Sequence, residues 1–92
     1  MTVRKRVRAE GRVQGVFFRD SVRRAALAEG VAGWAANRPD GSVEAVFEGP
    51  AEVVRSMVAD CHDGPPAARV TRVVEEPYPD PVPPGFRTLP TA

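Results

Sequence analysis

What is scarce in this chain narrows it before any pattern is read. Among 92 residues there is one cysteine and one histidine. No internal disulfide can form, and a thiolate or imidazole zinc site lacks its ligands. A single cysteine also fits a reducing compartment. No stretch approaches the roughly 20 consecutive apolar residues that a membrane helix needs. Met1 to Glu10 sets arginines among small residues and has no signal-peptide core. The formal net charge is +1, which addresses the protein to neither nucleic acid nor membrane. A cytoplasmic protein with neither partner is expected. Lysine is nearly missing as well, Lys5 being the only one, so the basic residues are almost all arginine.

The length suits one domain, 1–92, expected to be monomeric. Val3, Val7 and Val13 lie at odd positions, while Arg4, Arg6, Arg8, Glu10 and Arg12 lie at even ones. Period-two alternation predicts a long strand with one wet face. Its arginines read as a nucleic-acid stripe or as a solvated face opposite acidic neighbours; the balanced charge favours the second. Phe18, Val22, Ala25, Ala26 and Glu29 then fall on one helical face, with Gly30 as the stop. Val31 to Ala36 is a short apolar strand containing Trp34, expected in the core. Arg38-Pro39-Asp40-Gly41 is a turn, and Ser42 to Glu48 alternates again, so the two strands form a hairpin.

Gly49-Pro50 opens a second helix, with proline at its first position and Val53, Val54, Met57, Val58 and Cys61 on its buried face. Gly64-Pro65-Pro66 ends it. Ala68 to Glu76 is a fourth strand with Val70, Val73 and Val74 as core positions. Five prolines between Pro77 and Pro84 make a stiff connection, and Phe86 to Leu89 forms a short last strand. The order βαββαβ describes an α+β, ferredoxin-like sandwich: an antiparallel sheet of four to five strands with two helices on one face. That fold alone selects no chemistry.

The chemistry centres on Gly11 to Asp20. A strand arrives, two glycines bracket a loop, and a helix leaves from about Phe18 with Arg19 at its start. Unpaired N–H groups and the helix dipole suit an anion there, and a guanidinium fork suits phosphate. Local pattern leaves both a phosphate cradle and a mere tight turn open. The loop lacks the Gly-Lys-Ser/Thr ending of a P-loop and the Gly-x-Gly-x-x-Gly of dinucleotide binders. RNA-binding domains of this topology need exposed aromatics on their central strands, where this chain places Arg and Glu. His62 reads as a helix-end cation, Cys61 as a small buried hydrophobe, and the acids form no paired constellation. Asn37 is the only asparagine and Gln14 the only glutamine. Asn37 reads either as a turn starter or as a placed polar group.

Gly11-x-Val13-Gln14-Gly15-Val16-x-Phe18-Arg19 resembles the signature of the acylphosphatase family. Gly33-Trp34-x-x-Asn37-x-x-Asp40-Gly41-x-Val43-Glu44 is similar to that family's second signature. Glu48-Gly49, Gly64-Pro65-Pro66 and Gly85-Phe86 also fit, so the resemblance runs from about Val3 to Leu89. Ala36 stands where many relatives carry a larger or basic residue, and Ala35 is small for the strand. The resemblance implies hydrolysis of small acyl phosphates to a carboxylate and inorganic phosphate, with no cofactor and no metal. It implies that Arg19 and the backbone N–H groups of Gln14, Gly15, Val16, Phe17, Phe18 and Arg19 hold the phosphoryl group. It implies that Asn37 positions the attacking water. A non-catalytic phosphate- or carboxylate-binding module is the competing expectation, and a carbamoyl-phosphate-handling domain of a larger enzyme a third. A pure binder has no use for Asn37, and a chain ending at Ala92 disfavours the third.

Overall fold

The sheet grows outward from β1 (Thr2–Arg12), whose alternation works as written. Val7 and Ala9 are about 1% exposed and join the core, while Arg6 and Arg8 stand in water on the other face. The computed structural model describes residues 1–90; the last two positions of the expected 1–92 domain lie outside the described residues. β1 pairs antiparallel with β3 (Val43–Pro50) on one side and with β4 (Arg69–Pro77) on the other. β2 (Ala32–Asn37) adds antiparallel to β3, and β5 (Phe86–Leu89) completes the order β4-β1-β3-β2-β5.

α1 (Phe18–Glu29) and α2 (Ala51–Asp63) cover one face. A single apolar cluster joins Phe18, Val22 and Ala26 of α1 to Val54, Met57 and Cys61 of α2 and to the inward positions of the strands. Glu29, on the expected helical face, is exposed at the last turn. Cys61 is buried as expected, and burial pushes its thiol pKa up to about 12.

Four expectations need correction. The sheet is mixed: β5 runs parallel to β2, held by Phe86 stacking on Phe47 with ring centroids 5.9 Å apart. Trp34 is only half-buried and faces away from the helices. Gly33 and Ala35 take the inward positions, so period two turns the indole outward, where the Arg38 guanidinium lies 5.7 Å from its ring centroid. Val74 is likewise on the outer face, opposite Arg8, while Val70 and Val73 pack on the core. Pro50 is the residue before the helix rather than its first turn; its ψ of 140° is extended.

The topology decides where chemistry can occur. β1 and β2 both run antiparallel to β3, hence parallel to each other, with α1 as the crossover between them. β5 follows β2. The C-terminal ends of β1, β2 and β5 therefore gather at one end of the sheet, beside the N-terminus of α1.

Candidate active site

The pairing of β1 with β4 shifts register between Glu10 and Gly11, where β4 carries one extra residue, Thr71, just before the loop. Gly11 has φ of 122°, and a Cβ there would lie 2.2 Å from the Arg69 carbonyl oxygen, so only glycine passes. From Val13 the chain alternates its anchors. Val13, Val16 and Phe18 are buried, whereas Gly15 and Phe17 point outward. Gly15 has φ of 74° and Phe17 has φ of 64°. A left-handed conformation costs an L-residue about 1–2 kcal/mol. Left-handed Phe17 leads straight into right-handed Phe18, the alternation that turns successive N–H groups toward one concavity. Among the described residues, the N–H groups of Gly15, Val16 and Phe17 have no backbone acceptor. The first-turn N–H groups of α1 add further free donors.

The concavity is a cleft of about 320 Å³ whose lining includes Gly15, Phe17, Arg19, Asp20, Asn37 and Thr88. Arg19 and Asn37 thus share one cavity. Arg19 is half-buried, and its Nη1 donates to the Leu89 carbonyl oxygen at 2.9 Å. It forms no ion pair among the described residues. Asn37 ends β2, directly before a tightly stitched turn. Arg38 N–H donates to the Ser42 carbonyl at 2.8 Å, and Gly41 N–H donates to the Arg38 carbonyl at 3.0 Å. Ser42 donates to the Asp40 carboxylate from both N–H and Oγ, at 2.9 and 2.6 Å. Those two bonds hold the Asp40 carboxyl below its usual range.

The Gln14 side chain does something other than line the cleft. Its Nε2 donates to the carbonyls of Arg38, at 2.7 Å, and Ser42, at 2.9 Å. One amide nitrogen therefore ties the loop that carries Arg19 to the turn that follows Asn37. A larger groove of about 420 Å³ lies between α2 and the sheet, lined by Lys5, Arg55 and His62 among others. None of the motif residues reaches it, so volume does not choose the site.

The acylphosphatase family model matches residues 5–88. The chain belongs to the acylphosphatase family. It is 60% identical over 78 residues to an acylphosphatase of Rubrobacter xylanophilus, covering 83% of this chain and 71% of that relative. The structure of an acylphosphatase from Coxiella burnetii superposes with a TM-score of 0.91 at 34% identity, covering 96% of this chain and 93% of that one. The acylphosphatase of Bacillus subtilis gives 0.83 at 36% identity, with coverage of 97% and 99%.

Within this acylphosphatase fold, reading the residues alone missed two contributors. Thr88 enters the cleft from β5, and the Leu89 carbonyl anchors Arg19. A backbone oxygen carries no residue-type signal, and Thr88 counts only once β5 is known to lie beside β2. Asp20 also borders the cleft. Its carboxylate is engaged by Arg23 at 2.8 Å and Arg24 at 2.9 Å. The Arg23 hydrogen bond, with the Arg24 charge added, holds its pKa down. These two arginines offset a negative charge that an anionic ligand would otherwise meet.

No helix among the described residues is long and apolar enough to cross a membrane. No three His, Cys, Asp or Glu side chains among them are grouped as a metal site requires.

Proposed function

We propose that the protein is a metal-independent acylphosphatase, hydrolysing the carboxyl–phosphate bond of small acyl phosphates to a carboxylate and inorganic phosphate. The observation that carries this reading is the pairing of Arg19, which meets no carboxylate among the described residues, with Asn37 in one cleft beside the loop's N–H groups. The phosphoryl oxygens accept from the N–H groups of the Gln14 to Arg19 loop and from the Arg19 guanidinium. Asn37 holds a water in line with the leaving oxygen. The water oxygen bonds to phosphorus, the bond from phosphorus to the acyl oxygen breaks, and the carboxylate leaves with the electron pair.

So sparse a site suffices for this substrate. A carboxylate whose conjugate acid has a pKa of about 4 leaves without a general acid. Phosphoryl transfer asks the protein mainly for position and for positive potential on the equatorial oxygens. Arginine and N–H donors supply that potential, and among the described residues no three His, Cys, Asp or Glu side chains are grouped to hold a metal. The carboxamide of Asn37 takes no proton at neutral pH, so the water's proton passes to a phosphate oxygen or to solvent. The single core cluster accords with one domain; that this domain acts as a monomer on a small molecule, in the cytoplasm and with no nucleic acid or membrane partner, is part of the same proposal.

The test is hydrolysis of acetyl phosphate with excess chelator present, against a phosphate monoester control. Turnover of the acyl phosphate alone is expected. Equal turnover of both, or activity restored by magnesium after chelation, overturns the reading.

A further inference from the structure

Phe17 bears two burdens that the fold does not explain. It is the one non-glycine residue with positive φ among the described residues, and its side chain is bulky. It is also 78% exposed. The other large hydrophobics exposed to this degree lie elsewhere: Met1 begins the chain and Leu27 is on the outer side of α1. Glycine or asparagine would meet the backbone requirement without strain. Strain that persists in a residue of the wrong type points to a use for its side chain.

The position of Phe17 suggests that use. It belongs to the wall of the Arg19–Asn37 cleft and also to a second, more open groove of about 490 Å³. That groove is lined by Val16, Pro65, Pro66 and Ala67 together with Ser21 and Arg24. Pro65 to Ala67 precede β4, which runs antiparallel to β1 and so begins at the end of the sheet where the cleft lies. Of the other residues lining the cleft, Val13 and Phe18 are buried, Arg19, Asp20 and Asn37 are half-buried and polar, and Thr88 is exposed and polar. A phosphoryl group in the cleft therefore has exposed apolar surface on one side only. An apolar group attached to it lowers its free energy by leaving across the Phe17 ring toward the prolines.

We propose that Phe17 is a specificity residue: its ring carries the acyl portion of the substrate and directs it into the Val16–Pro65–Pro66 groove, so that aromatic acyl phosphates are favoured over small aliphatic ones. This rests on the acyl-phosphate reading of the cleft. Contact with a part of the substrate remote from phosphorus raises kcat/KM for the molecules that can make it. Stacking of one aromatic group is worth about three- to tenfold.

The experiment compares kcat/KM for benzoyl phosphate and acetyl phosphate in the wild type, Phe17→Asn and Phe17→Tyr. Asparagine keeps the left-handed backbone and removes the ring; tyrosine keeps the ring. The benzoyl-to-acetyl ratio cancels any damage to the loop that both substrates feel. It is expected to fall about three- to tenfold in Phe17→Asn and to stay within about twofold in Phe17→Tyr. A ratio unchanged in Phe17→Asn, with both substrates still turned over, overturns the role of the ring alone. A wild type that hydrolyses neither substrate overturns the reading of the cleft, and this proposal with it.

Discussion

Arg6, on the open face of the sheet, touches two carboxylates, whereas Arg19, in the cleft, touches none among the described residues and is held by a carbonyl oxygen. Arg6 faces Glu76 across the strand pair and reaches Glu44 at 3.5 Å. Arg4 meets Glu48 at 2.5 Å, and Arg8 meets Glu10 at 3.2 Å. This is the solvated, acid-matched face that the alternation of β1 led us to expect. The Leu89 carbonyl gives Arg19 a fixed direction without cancelling its charge. Identical side chains thus stand in opposite settings: one set is neutralised where it stands, and one, on the proposed function, would meet an anion.

That contrast breaks most visibly at Arg19. Arg19→Ala is expected to lower kcat/KM for acetyl phosphate by about 1,000-fold or more, with inhibition by inorganic phosphate weakened in parallel. Near-normal kinetics would make Arg19 one more surface arginine. Asn37→Ala should lower kcat by about 100-fold while the phosphate inhibition constant changes by no more than about threefold. An equal loss in both would reassign Asn37 to holding phosphate.

The acid response sharpens the comparison between exposed carboxylates with and without local donors. The carboxyls of Asp20 and Asp40 lie below their ordinary 3.8 in the folded chain. As pH falls, the unfolded chain takes up these protons first. The stabilisation is whole above about pH 4 and is lost as pH drops through the lower folded values. Asp40→Asn should therefore be less stable than wild type at pH 6, with the gap closing toward pH 2. Denaturant titrations across that range check this, and a gap independent of pH contradicts it. The smallest effect belongs to the open face. A double-mutant cycle on Arg6 and Glu76 should return little coupling, shrinking with salt, with acyl-phosphate turnover unchanged.

The helices, β1 and β3 were legible from a clear period, and β2 and β4 as apolar runs between glycine and proline breaks. The outward face of Trp34 was not. Val31 to Ala36 is apolar throughout, so nothing in the run marks which side faces the helices. The structure places Gly33 on the inward side, where a Cβ would lie 1.7 Å from the Val46 carbonyl oxygen and only glycine fits. The parallel direction of β5 was hidden for a different reason. Strand direction there depends on where a proline-rich connection delivers four residues, not on the residues themselves. In the site, Arg19 and Asn37 were legible as unusual polar residues at element ends. Their meeting was not, since it depends on the α1 crossover bringing two parallel strand ends together. The functions of Thr88 and Leu89 waited on β5.

Gln14 exposes the cleft to chemical ageing. Its Nε2 carries two hydrogens, and the carbonyls of Arg38 and Ser42 use both. Loss of ammonia from this side chain would leave a carboxylate oxygen facing two carbonyl oxygens, acceptor against acceptor. The loop and the turn would then repel where they now join, drawing Arg19 and Asn37 apart while leaving every atom of both residues intact. A single deamidation there would disturb the alignment of the cleft without altering Arg19 or Asn37.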